Sequence, residues 1–111
     1  MNGRERIEAA LAPAGTREIP AVICYEDIFF RDHLRTVSDT PWWYQQSPVI
    51  EHQLAWRRDA LARTGLDWLR IHRSLPRAKR EVMTVEEHPD GVYLIDNDTG
   101  SLRRLVEPPV G

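Results

Sequence analysis

Apolar positions recur along this chain with two different periods, and the places where the period changes divide it into elements. Ile7, Ala10 and Leu11 fall at helical spacing behind Asn2 and Glu5, which have the form of a capping box, so a helix of about three turns is expected to end by Pro13. The unbroken run Ile19 to Cys24 then reads as a buried strand, with Pro20 near its start, where the first ladder position can lack a donor. Ile28, Phe29, Phe30, Leu34 and Val37 return to a rough helical period. Ser38 to Tyr44 reads as a loop with aromatic anchors. From Ser47 the signals are stronger: Ser47 is a good N-cap, Pro48 suits a first helical turn, and Gly65 supplies a left-handed stop. Only two residues separate that stop from Trp68, Leu69 and Ile71, so a second, parallel strand is expected over Asp67 to Ile71.

Beyond His72 the pattern changes again. Arg73 to Arg80 is a basic loop containing Pro76, and from Glu81 to Glu107 alternation with a period of two replaces the helical period. Pro89-Asp90-Gly91 and Asn97-Asp98-Thr99-Gly100 are turn sequences, which makes this stretch a three-stranded meander. The expected fold is α/β, with helix, strand, helices and parallel strand followed by an antiparallel β-meander. Residues 1–80 would hold the βαβ unit, and residues 81–111 the meander with an extended tail. Parallel sheets normally have both faces covered, and one crossover helix cannot do that. The expected partner is therefore further strands or a second copy of the chain.

Composition narrows the function classes. The chain has 111 residues, against roughly 250 for a closed eight-stranded barrel. Its formal net charge of -2 and the lack of a basic face argue against nucleic acid and anionic membranes as partners. A single cysteine, Cys24, cannot form an internal disulfide, and no apolar run approaches a membrane span, so a cytoplasmic setting is expected.

Several residues are candidates for chemistry, each beside a plainer role. Glu26 and Asp27 follow the first strand and could bind substrate or accept a proton; the plainer reading is that Asp27 caps the next helix while Glu26 is solvated. Arg70, Arg73, Arg77, Lys79 and Arg80 could receive ligand carboxylates or form a solvated loop. Gln53 and Arg57 project into the middle of the main helix's apolar arc, where Arg57 either snorkels or enters an ion pair or anion contact. Trp42, Trp43, Tyr44, Trp56 and Trp68 are expected to serve packing first and an interface second. Cys24, His33, His52, His72 and His88 lack the local spacing of a metal site, and Cys24 reads as a small buried hydrophobe. Asp96, Asp98 and Glu107 match a calcium loop only superficially, because the glycine is misplaced and the flanks read as strands; a hairpin turn is expected.

The opening from Asn2 to Leu11, the stretch Arg17-Glu18-Ile19-Pro20-Ala21-Val22, the Gly65-Leu66-Asp67-Trp68-Leu69 segment and the Asp90-Gly91-Val92-Tyr93 hairpin together resemble the uroporphyrinogen decarboxylase superfamily. That superfamily includes the haem-pathway decarboxylases and cobalamin-dependent methyltransferases, and the resemblance covers about the first third of its barrel. It implies an incomplete (β/α) barrel start over residues 1–80, with residues 81–111 as a β-meander insertion and extended tail, the remainder of the barrel or a second copy of the chain as partner, and catalysis at the carboxyl ends of the strands, which here carry Glu26 and Asp27 after the first and His72 and Arg73 after the second. The decarboxylases have an arginine-rich, glycine-containing motif and an aspartate at those places; Tyr25-Glu26-Asp27-Ile28 and His72-Arg73 stand there instead. The resemblance therefore implies an amino-terminal fragment closer to the methyltransferases, acting on a corrinoid or thiol when whole and inactive alone. Corrinoid and zinc would belong to the intact relative, with no cofactor held within this chain. The competing expectation is a stand-alone small α+β protein-interaction module.

Overall fold

The computed structural model describes residues 1–68 and 74–109. Among the described residues, four α-helices and a 3-10 helix precede a three-stranded sheet. Helix α1 spans Gly3–Leu11, and Asn2 and Glu5 close the expected capping box: the Asn2 side chain accepts from the Glu5 amide at 2.9 Å, and Glu5 accepts from the Asn2 amide at 3.0 Å. Helix α2 spans Glu26–Val37 and kinks at His33, whose φ of -120° leaves the helical region. A 3-10 helix, Trp42–Gln46, forms where a loop is expected from sequence.

Helix α3 runs Ile50–Thr64 and ends on Gly65 at φ 64°, the left-handed stop that the sequence marks. Its start differs from expectation. Val49 is the cap residue, and Ser47 lies two residues upstream, where its hydroxyl accepts the Val49 amide at 3.1 Å and meets His52 Nδ1 at 2.7 Å. Ser47 thus turns the chain into the helix rather than capping it, and Pro48 precedes the first turn instead of occupying it. Helix α4, Arg77–Glu81, replaces part of the expected basic loop; an Arg77–Glu81 ion pair and a bond from Arg80 Nε to the Leu75 carbonyl hold it.

The meander forms as its alternation requires. Strands β1 (Met83–His88), β2 (Gly91–Asp96) and β3 (Ser101–Leu105) pair antiparallel in sequence order. Asp96 accepts the Asp98 and Thr99 amides, so this carboxylate shapes the second turn, and the calcium-like spacing is a hairpin as expected. The fold is therefore mixed helix and antiparallel sheet. Among the described residues no strand forms outside the meander.

That absence corrects one expectation directly. Residues 19–24 join no ladder, and Ile19 is 87% exposed where a buried strand would hide it. A strand is stable only when a neighbour takes up its backbone groups, and the expected neighbour, Asp67 to Ile71, continues into residues outside the described ones. Cys24 is correspondingly exposed instead of buried. What remains is one two-point junction. The Asp67 amide donates to the Ala21 carbonyl at 3.0 Å, and the Ala21 amide donates to the Asp67 carboxylate at 2.7 Å.

Two small cores hold the rest. Phe30, Leu34 and Val37 of α2 pack on Trp56 and Ala60 of α3, and Trp43 packs on Leu94 and Leu105 of the sheet. Trp42 and Tyr44 touch both clusters, so the aromatic 3-10 helix is the joint between helices and sheet. Trp42, Trp43, Tyr44 and Trp56 are thus packing material, as the sequence favours, whereas Trp68 is 52% exposed and belongs to neither core. Arg63 adds a polar tie, bonding Asp39 and the Thr36 carbonyl, while Asp59 accepts from Ser38 and the Asp39 amide.

Helix α1 buries no residue and docks differently. Its Arg6 donates to the Asp67 carboxylate, with nitrogens at 2.6 and 2.7 Å, and Gly3 lies against the Asp67 backbone so closely that a Cβ would overlap its carbonyl oxygen and Cα. Gly3→Ala is expected to displace α1 while sparing both cores, because backbone cannot yield as a flexible side chain does. Limited proteolysis across residues 12–17 would read this as faster cleavage with an unchanged unfolding midpoint; unchanged cleavage would contradict it.

Candidate ligand cleft and charge cluster

Charge gathers at the start of α2. Tyr25 is the cap residue and provides no side-chain cap, and Glu26 and Asp27 occupy the first turn, where the helix dipole favours carboxylates. Asp27 is exposed and lies beyond the cap position, and Glu26 is 2% exposed, so neither takes the plain role expected from sequence. Phe30, one turn on, is anchored in the core, and that anchorage draws the Glu26 side of the helix inward.

Arg57 of α3 faces the same region. Burial holds its pKa below the ordinary value, and the negative charges of Glu26 and Asp27 oppose that shift. Its guanidinium carbon lies 4.7 Å from the Trp56 ring centroid, a cation–π distance. Arg57 therefore combines the two roles offered by the helix arc, with its stem packed and its head attracted by carboxylates.

Asp27 and Arg57 open onto a cleft of about 680 Å³. The buried Phe30, Trp56 and Leu94 line it together with the half-exposed Ile50 and Leu54, Arg80 of α4, and Met83 and Arg103 of the sheet. Gln53 shapes one end. Its amide nitrogen lies 2.8 to 3.1 Å from the carbonyls of Tyr44, Gln45 and Ser47, and its oxygen accepts from Trp56 Nε1 at 3.0 Å. One polar side chain in an apolar arc thus satisfies the carbonyls that the 3-10 helix leaves open.

No protein-family model matches the chain. No curated protein and no solved structure matches it either.

His72 and Arg73, together with Arg70, lie outside the described residues. Of the basic cluster, Arg77 is engaged with Glu81 and Arg80 reaches the cleft. Cys24 is exposed, His33 packs on Phe29, His88 bonds Glu86, and His52 stacks on Tyr44 at 4.3 Å with Trp43 edge-on. Burial pushes the His52 pKa down. Among the described residues, no three histidine, cysteine or carboxylate side chains come together as a metal would require.

The Asp67 junction was not singled out from sequence, although Asp67 stood in the marked segment after Gly65. The Arg6 guanidinium holds its carboxyl below the usual carboxylate range, and the Ala21 amide adds to the effect. A depressed carboxyl contributes stability that is present above the unfolded pKa, near 4, and lost as pH falls through the folded value. Acidification below about pH 4 is therefore expected to release α1 from Asp67. Asp67→Asn should weaken docking at neutral pH and remove the acid-dependent step, as read from Ala21 amide exchange across pH; an acid step surviving in the variant would contradict this.

Proposed function

We propose that this chain is the amino-terminal part of a (β/α)-barrel protein of the uroporphyrinogen decarboxylase superfamily, closer to its methyltransferases than to its porphyrinogen decarboxylases, and inactive alone. The Ala21–Asp67 junction carries the reading. In a strand, crossover, strand unit, the residue entering the second strand must come alongside the first, and Asp67, two residues past the Gly65 stop, meets Ala21 through two hydrogen bonds. Surface area supports the need for more protein. The chain exposes 8086 Å², against about 6,300 Å² for a compact monomer of its mass, and its radius of gyration is 17.3 Å against about 13 Å.

In this reading Glu26 and Asp27, in the first turn of α2, bind substrate with His72 and Arg73, and the corrinoid or thiol chemistry belongs to residues supplied by the rest of the barrel or a second copy. The setting is cytoplasmic; among the described residues, no helix is long and apolar enough to cross a membrane. The same excess surface would suit a small interaction module, but the aromatic stretch such a module would offer is spent on packing.

The coding DNA beyond the Gly111 codon separates these readings. Continued alternation of strands and helices, with later histidine and cysteine residues, is the expected result, and a stop codon would overturn it. The isolated chain, given methylcobalamin and a thiol, is expected to transfer no methyl group above the uncatalysed rate; turnover would contradict the claim of inactivity.

A further inference from the structure

The register of the meander places Val85, Leu94 and Arg103 in one cross-strand row, on the same face as Leu105. That face meets Trp43 and forms the second core. Period-two alternation reserves such a place for an apolar side chain, yet position 103 holds an arginine that lines the cleft. Among the described residues, the Arg103 side chain enters no hydrogen bond or ion pair, although a guanidinium carries five N–H donors in a fork suited to a carboxylate.

Its neighbours point the same way. Arg80 lines the cleft from α4 with only Nε committed, to the Leu75 carbonyl, which leaves its terminal nitrogens for another acceptor. Arg57 also lines the cleft, its charge met by Glu26 and Asp27, and Asp27 is the carboxylate among the lining residues, which leaves Arg80 and Arg103 as the cations not answered by it. In the same lining Ile50, Leu54 and Leu75 are each about 45% exposed beside the buried Trp56. A volume of about 680 Å³ lies within the range of small-molecule sites.

We propose that this cleft binds a small anionic amphiphile, a monocarboxylate with an extended apolar body, whose head sits on Arg103 and Arg80 and whose body covers Ile50, Leu54 and Trp56. The site requires only the cleft and stands apart from the barrel reading. Burial of the apolar body supplies most of the affinity, and the guanidinium fork supplies the preference for a charged head.

Displacement of the uncharged fluorophore N-phenyl-1-naphthylamine tests this, with dodecanoate and dodecan-1-ol as competitors below their aggregation concentrations. Dodecanoate is expected to displace the probe at a concentration at least tenfold lower than the alcohol. Arg103→Met should abolish that preference, and Arg103→Lys should retain most of it. Leu54→Glu, at a half-exposed helix position that leaves both cores intact, should also remove the preference by repelling the head. Equal displacement by acid and alcohol, failure of either to displace the probe, or a preference that survives Arg103→Met or Leu54→Glu would overturn the proposal.

Discussion

Replacing Trp43 by alanine is expected to destabilise the protein by about 3–5 kcal/mol, the range for truncating a large aromatic core residue. Trp43 is 7% exposed, packs on Leu94 and Leu105, and donates through Nε1 to Glu87 at 3.0 Å. The 3-10 helix that carries it packs on both clusters, so its loss removes the core by which that helix holds the sheet. The loss should not be uniform. Amides of β1 to β3 should lose exchange protection before those of α2 and α3, since the Phe30–Trp56 cluster does not contain Trp43. Trp43→Phe, which keeps the ring and drops the bond to Glu87, should cost less than half as much. Chemical denaturation followed by amide exchange would check both, and uniform loss across helices and sheet would contradict the division into two cores.

Phe30→Ala is expected to cost a similar 3–5 kcal/mol and to act on the other core. Phe30 is 1% exposed and meets Trp56 edge to face with ring centroids 5.6 Å apart. Because Glu26 lies one turn earlier on the same helix, the cavity left by Phe30 should also loosen the charge cluster. The variant should therefore unfold at lower denaturant and lose affinity for any ligand that rests on Phe30 and Trp56. A variant of near-native stability would show that the α2–α3 contact contributes little.

Much of the helical part and nearly all of the meander were legible in the sequence, because their signals are local. Asn2 and Glu5 close a capping box within four residues, Gly65 ends α3 by its own backbone freedom, and the two turn sequences fix a meander whose strands alternate without interruption. Elements that depend on distant partners were harder to read. The run at residues 19–24 has strand composition but no ladder in the described residues, so Ile19 and Cys24 stay exposed. Ser47 satisfies every local rule for an N-cap, but its hydroxyl is drawn to Val49 and His52, and the helix starts later. Helix α4 has no apolar period to betray it.

The candidate sites divide in the same way. Arg57 and Gln53 were visible as polar residues inside an apolar arc, though only the fold shows Gln53 holding three carbonyls. Arg103 carried an equally plain signal, an arginine on the inward face of an alternating strand, and extending the alternation through Ser101 and Leu105 reveals it. The burial of Glu26 could not be read locally, because it depends on how α2 docks on α3.

Asp67, two residues past the α3 stop, lies beside the segment that precedes α2, and the barrel reading depends on that placement. Native-state amide exchange at Ala21 and Asp67 tests that placement most directly. Both amides donate across the junction, so both should exchange more slowly than in an unstructured peptide, and Asp67→Ala should return Ala21 to the peptide rate. Peptide-like exchange at both positions in the unaltered protein would show that the two segments do not meet, and the barrel reading would fail with them.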